Sequence, residues 1–247
     1  MKKAWICLLT IGIALHSCKE DDTENVEIIE EPSNIADQNA NDDKAIAKYM
    51  DDHYLDTQGV IKAFSSTDAS DDNYTKLSAM EKTTLDNGVI VIKRVGAQPD
   101  AATATAIGAT DILRFMSKST TFLSKVEKDN TVTYASEYSF RNTIDGSGVP
   151  EVDPYYYYVK KDVLEKATAE DAKKRSYYEI EGFQQGLQTF KSFNISDSSN
   201  FNLQGVIIVP SRAAYARDAH YTSTFRNRSF VFNFQVYKST PRPASQQ

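Results

Sequence analysis

Cys18 is the side chain whose setting by itself specifies a reaction. Lys2 and Lys3 precede an apolar run from Ile6 to Ala14, and Leu15-His16-Ser17 then places a small residue directly before the cysteine. This is the pattern of a bacterial lipoprotein signal, with cleavage before Cys18 and acylation of its thiol. The run is too short to cross a bilayer as a helix. The other reactive side chains form no comparable constellation. His16 leaves with the signal, and neither His53 nor His220 has a partner at a metal-site spacing, so no metal is expected. Carboxylates are plentiful but no spacing singles out an acid–base pair, and there is no glycine-rich phosphate loop. No cofactor is implied.

Composition narrows the classes further. Cys7 lies inside the signal, so the mature chain keeps only Cys18 and can form no internal disulfide. A chain of 247 residues suffices for one good domain and an appendage, and its fold must rest on a hydrophobic core. Loss of residues 1–17 removes two lysines and no acid, moving the formal net charge from -6 to -8. An acidic surface argues against nucleic acid and against electrostatic binding to anionic lipids. Acyl chains on Cys18, rather than charge, would hold the protein to its membrane.

The elements that must position any site are read from periodicity and turn chemistry. Residues 18–42 are acidic and polar, with too little apolar surface to repay ordering, and predict a flexible tether. Lys19-Glu20-Asp21-Asp22 also resembles the acidic tag that sends some lipoproteins to the outer face of the outer membrane. Ile46, Tyr49, Met50 and His53 fall at helical spacing after Asn41 or Asp42 as N-cap, and residues 43–83 are read as a helical N-terminal segment. Asp86-Asn87-Gly88 is a turn before the β-branched strand Val89–Val95. Strand character returns at Asp111–Phe115, Thr131–Phe140, the tyrosine-rich Asp153–Val159, Val206–Val209 and Ser229–Tyr237. Lys160–Arg175 is charged with helical spacing, and Gly182–Phe190 places Phe183, Leu187 and Phe190 along one helical stripe. Mostly sheet with one packed helix predicts an α+β domain with antiparallel pairing. Arg212, Arg217, Arg226 and Arg228 read as solvated loop charges.

Several blocks in this order resemble the FKBP-type peptidyl-prolyl cis-trans isomerase family. Thr84–Ile92 is similar to its opening turn and strand, and Glu179-Ile180-Glu181-Gly182-Phe183-Gln184-Gln185-Gly186-Leu187 to its strand leading into a central helix. Val209-Pro210-Ser211-Arg212-Ala213-Ala214-Tyr215 is similar to its proline-to-tyrosine loop, and Asn227–Phe234 to its final strand. The resemblance implies an antiparallel sheet wrapped around a short central helix over residues 84–238, with an insertion at about 160–176 and a tail at 239–247. It implies a proline pocket with Phe183 as floor and Ile180, Phe115, Tyr134, Tyr155 and Phe232 around it. Tyr215 would offer its hydroxyl, and Ile180 its backbone N–H, to substrate carbonyls. His220 could stand at the rim. Lipoproteins built on this domain also occur among accessory proteins of gliding bacteria.

The departures concern the pocket. The family's phenylalanine–aspartate pair reads as Tyr134-Ala135, the glycine after the loop tyrosine as Ala216, and a double proline as Phe225-Arg226. An X–Pro bond isomerises over a barrier of ~18–20 kcal/mol because amide resonance must be broken. The twisted transition state has less charge separation than the planar imide, so a dry aromatic cup favours it without nucleophile or proton shuttle. The sequence therefore supports an envelope isomerase acting on proline-containing polypeptides. It also supports a module with the same pocket that binds peptide without turnover, or an accessory lipoprotein of a larger assembly. The expected place is the outer membrane or cell surface, facing periplasm or exterior; oligomeric state is left open.

Overall fold

The computed structural model describes residues 29–218 and 223–247; Cys18, His220 and the signal lie outside them. Pro32-Ser33-Asn34 starts the first helix, α1 (Ile35–Asp52), where the Asn34 side chain accepts the Asp37 N–H at 2.8 Å. Two short strands follow, β1 (His53–Leu55) and β2 (Ile61–Ala63), paired with each other. The sheet strands are β3 (Thr83–Thr84) and β4 (Ile90–Lys93), joined by a turn with Gly88 at φ 86°. After β5 (Thr105–Ala106) come the long strands β6 (Ile112–Val126) and β7 (Val132–Asn142), then β8 (Glu151–Val152). The insertion carries α2 (Lys161–Lys166), and the central helix α3 (Glu181–Leu187) precedes β9 (Lys191–Ser192). β10 (Gly205–Val209) and β11 (Arg228–Thr240) complete the sheet.

Its order is β3-β4-β10-β11-β6-β7, with β8 on β6, and every pairing is antiparallel. The class is α+β, an antiparallel sheet with a short helix across one face, as the resemblance implies. Alternation along β10 divides the core in two. Ile207 and Val209 face α3, packing with Phe183 and Leu187, whereas Val206 and Ile208 pack with Ile46 and Tyr49 of α1. Asp42 ties α1 to the sheet and to the loop after β10. It is wholly buried and accepts from Gln38 and Ser124 at 2.8 Å and from the Ser211 hydroxyl. Burial pushes its carboxyl up, against the lowering effect of those hydrogen bonds.

Three expectations are corrected here. The helix begins at Ile35 rather than after Asn41 or Asp42, so residues 35–42 of the expected tether are helical; their polarity masks a face buried by the sheet. The helix ends at Asp52, and beyond it the range to 83 holds β1, β2, a short 3-10 turn at Leu77–Ala79 and the first residue of β3. Asp153–Val159 is no strand. Asp153 takes φ 59°, and Pro154 accepts from the N–H groups of Tyr157 and Tyr158, so the tyrosines form a turn. No helix of the described residues is long and apolar enough to cross a membrane.

Candidate functional site

Gly182 and Gly186 let α3 lie close on the sheet: a Cβ on Gly182 would stand 2.7 Å from Val209 Cγ1, and one on Gly186 2.8 Å from Ile207 Cγ2. That approach presses Phe183 onto Phe232 of β11, with centroids 4.1 Å apart and rings nearly parallel at 27°. Phe115 of β6 meets Phe183 edge-on at 5.5 Å. Tyr215 packs edge-on to Phe230 at 5.9 Å. Phe183, Phe232, Phe115, Ile180 and Tyr215 thus belong to one cluster, with Tyr155 partly buried at its edge. Five rings or walls from distant stretches converge there.

Three rings that the sequence did not single out complete and fill it. Tyr156, from the turn after Pro154, lies 5.6 Å from Phe183 and 5.9 Å from Phe232, and is wholly buried. Phe225 stacks on Tyr215 at 5.6 Å and 10°. Phe140 packs edge-on against Tyr156, Phe225 and Phe230. Within a run of four tyrosines no pattern marks Tyr156. Phe225 stood where the resemblance looks for proline.

Tyr134 does not join them. It lies on the other face with Tyr49, His53 and Phe122, and its hydroxyl donates to Asp52 at 3.2 Å. Burial, then the Asp52 charge, pushes that hydroxyl up to about 12. The cause is two register shifts in the β6–β7 pairing, one beside Ser136 at φ 51°. Each inserts a residue and changes which side chains face the helix. Phe140, followed by the basic Arg141, therefore reaches the cluster in its place. Simple alternation along the strand hides this.

Both expected ligand donors are engaged within the chain. The Ile180 N–H donates to the Tyr156 carbonyl at 2.8 Å, and the Tyr215 hydroxyl donates to the Tyr178 carbonyl at 2.7 Å. Phe183, Phe232, Phe115 and Ile180 have no exposed surface. The Tyr156 hydroxyl donates to Glu151 at 3.0 Å, and burial pushes it well up, while the Arg141 guanidinium lies over the Phe140, Tyr155 and Tyr156 rings. Water is excluded, but by the protein's own rings, and α2 is not what fills the space.

An accessible concave surface lies beside the cluster. Tyr155, Tyr158, Val159, Val163 and Tyr178 line an apolar groove of about 420 Å³, with Asp153 and Lys160 at its edge. Its floor is braced by the buried Arg242, which lies 4.5 Å over the Tyr158 ring and pairs with Asp153. Burial disfavours the Asp153 carboxylate, but hydrogen bonds and charge from Arg242 and Lys160 hold it below its usual range. The tail at 239–247 is thus partly structural. The Tyr155 hydroxyl accepts from Arg141 at 2.6 Å. Among the described residues, no group of His, Cys, Asp and Glu is placed to hold a metal ion.

The arginines expected as solvated loop charges are instead paired. Arg212 meets Asp43 at 2.7 Å, Arg217 and Arg226 meet Glu31, and Arg228 is buried over the Tyr138 ring.

No family profile matches the chain, and no curated protein matches it. Among solved structures it is similar to FkpA from Escherichia coli, at 17% identity and a TM-score of 0.36, over 66% of this chain and 53% of FkpA. It is also similar to a peptidyl-prolyl cis-trans isomerase from Pseudomonas syringae pv. tomato, at 10% identity and a TM-score of 0.29, over 65% of this chain and 81% of that one. The chain spans about half the length of FkpA, and likeness at this level bears on neither its site nor its activity.

Proposed function

We propose that this protein is an FKBP-like lipoprotein of the cell envelope, anchored through Cys18, that holds proline-containing polypeptide with little or no isomerase turnover. The observation that carries the second half is the engagement of the Ile180 N–H by Tyr156 and of the Tyr215 hydroxyl by Tyr178. Isomerisation requires an imide to enter a dry cup and to be gripped there more tightly when twisted. Here the cup is dry because Tyr156 and Phe225 occupy it. Polypeptide is held in the neighbouring groove, whose flat tyrosine faces suit a preformed extended proline-rich segment. An envelope location follows from the signal pattern and the acidic tag, at the outer membrane or cell surface.

A second reading is an active isomerase assisting the folding of exported proteins. The convergence of Phe115, Phe183, Phe232 and Tyr215 favours it. A protease-coupled assay on a proline tetrapeptide, with the full chain at high concentration, separates the two. The binding reading expects rates equal to buffer. It also expects a fluorescent proline-rich peptide to bind, and Tyr178→Ala to weaken that binding by about tenfold, a loss of ~1.4 kcal/mol. Accelerated isomerisation would establish the second reading, and absence of both turnover and binding would remove both.

A further inference from the structure

Glu31 and Pro32 lie outside every secondary-structure element, yet both are bonded to side chains between Arg217 and Asn227. The Glu31 carboxylate accepts from Arg226 Nε at 2.7 Å and Nη2 at 3.0 Å, and from Asn227 Nδ2 at 2.7 Å. Arg217 stands 3.2 Å from the same carboxylate, and its Nη2 donates to the Pro32 carbonyl at 2.7 Å. Arg226 Nη1 also donates to the Arg217 carbonyl at 2.6 Å, joining the two protein arms that grip the segment. Farther along, Ser211 is bonded to Asp42 and Arg212 to Asp43. Residues 31–43 therefore run along residues 211–217 and 224–227 and are fastened to them at both ends.

Those two arms carry Tyr215 and Phe225, whose rings stack on each other and close the aromatic cluster. We infer that the segment from Glu31 to Asp43 is an intramolecular strap that holds the Tyr215 and Phe225 rings shut over the cup. An exposed ion pair alone contributes little. A carboxylate gripped in two-pronged fashion by one arginine, with a second arginine and an amide, is a charge-assisted network that fixes geometry as well as distance. α1 is seated on the opposite face of the sheet through Ile46 and Tyr49, so the strap is anchored at its far end. Any ligand that fits only an open cup must work against the strap, and by linkage strap release favours that ligand. This consequence rests on the cup being the family's pocket; the strap itself does not.

Trypsin tests the strap directly, because Arg217 and Arg226 are themselves cleavage sites. In the purified full chain, Glu31→Ala is expected to speed cleavage after these two residues about tenfold, in proportion to the population of the opened arms. Cleavage elsewhere and the far-ultraviolet circular dichroism should be unchanged, and binding of an apolar fluorescent dye should rise as the rings open. Glu31→Gln, which keeps the size of the side chain but removes its charge, should open the arms in the same direction. The inference is overturned if Glu31→Ala leaves both sites cut at the original rate. It is equally overturned if cleavage accelerates throughout the chain, or if Glu31→Gln protects both sites as fully as glutamate does. Dye binding that stays flat while both sites open would show a strap that does not control the cup. The peptide measurements of the previous section play no part in these outcomes, so either idea can fail alone.

Discussion

Ala216 shows how one residue can carry the cost of a departure from a family pattern. It stands at φ 49°, in the left-handed region, at the position where the resemblance expects glycine. Its N–H donates to the Ser211 carbonyl at 2.8 Å, and its carbonyl accepts from Asn227 at 2.6 Å, so the surrounding bonds impose the conformation. A Cβ in this region costs roughly 1–2 kcal/mol. Ala216→Gly is therefore expected to stabilise the protein by ~0.5–1 kcal/mol, the remainder being offset by the freer unfolded chain. Urea denaturation reads this, and a lower midpoint with an unchanged slope would contradict it. The sequence located the position by alignment with a motif. The strain became visible only with the backbone angle.

Among elements, α3 and β7 illustrate opposite degrees of legibility. The helix was readable because Phe183, Leu187 and Phe190 recur at helical spacing; Phe183 and Leu187 are buried as that spacing predicts, and Phe190 lies beyond the end of α3. Its closeness to the sheet is testable at Gly182. Helix propensity alone would favour alanine there by roughly 1 kcal/mol. A Cβ would stand 2.8 Å from both the Ala213 carbonyl oxygen and Val89 Cγ2, as well as against Val209. Gly182→Ala is thus expected to destabilise by ~1–3 kcal/mol. A stabilised variant in thermal or chemical denaturation would show that α3 is not tightly seated. In β7, by contrast, the resemblance assigned Tyr134 to the pocket, and the structure places Phe140 there instead. A bulge depends on pairing with β6, which a single strand's residues do not encode. The tyrosine turn failed for a similar reason: β-propensity favoured a strand, but Pro154 and the Asp153–Arg242 pair close a turn.

The whole molecule is a sheet covered on both faces; the second cover is α1, of which the sequence showed the apolar stripe at Ile46, Tyr49 and Met50 while the polar composition of residues 18–42 concealed the first turns. Phe122, Val206, Ile208 and Val231 lie beneath α1 with essentially no exposure. Deleting the described chain through Asp52 would bare them as one apolar face, and the product is expected to aggregate on size-exclusion chromatography. A soluble monomer with unchanged circular dichroism would show that α1 is a dispensable appendage. At this scale the aromatic cluster also changes meaning. The same rings that resemble a ligand cup are, in three dimensions, part of the main core, with Tyr156 packed among them.

Taken alone, the order of residues determined the class, the strands around β10 and β11, the central helix and part of the ring cluster, namely Phe115, Phe183, Tyr215 and Phe232. Those follow from hydrophobic periodicity, turn glycines and a recognisable motif order, all of which are local in the chain. Tertiary structure decided which face each ring takes, where α1 begins, what the arginines pair with and whether the cup is open. Each of these depends on contacts between residues far apart in sequence, such as Glu31 with Arg226, Asp42 with Ser211, and Ile180 with Tyr156. Burial converts them from polar or aromatic residues of no evident assignment into the bonds that close the molecule.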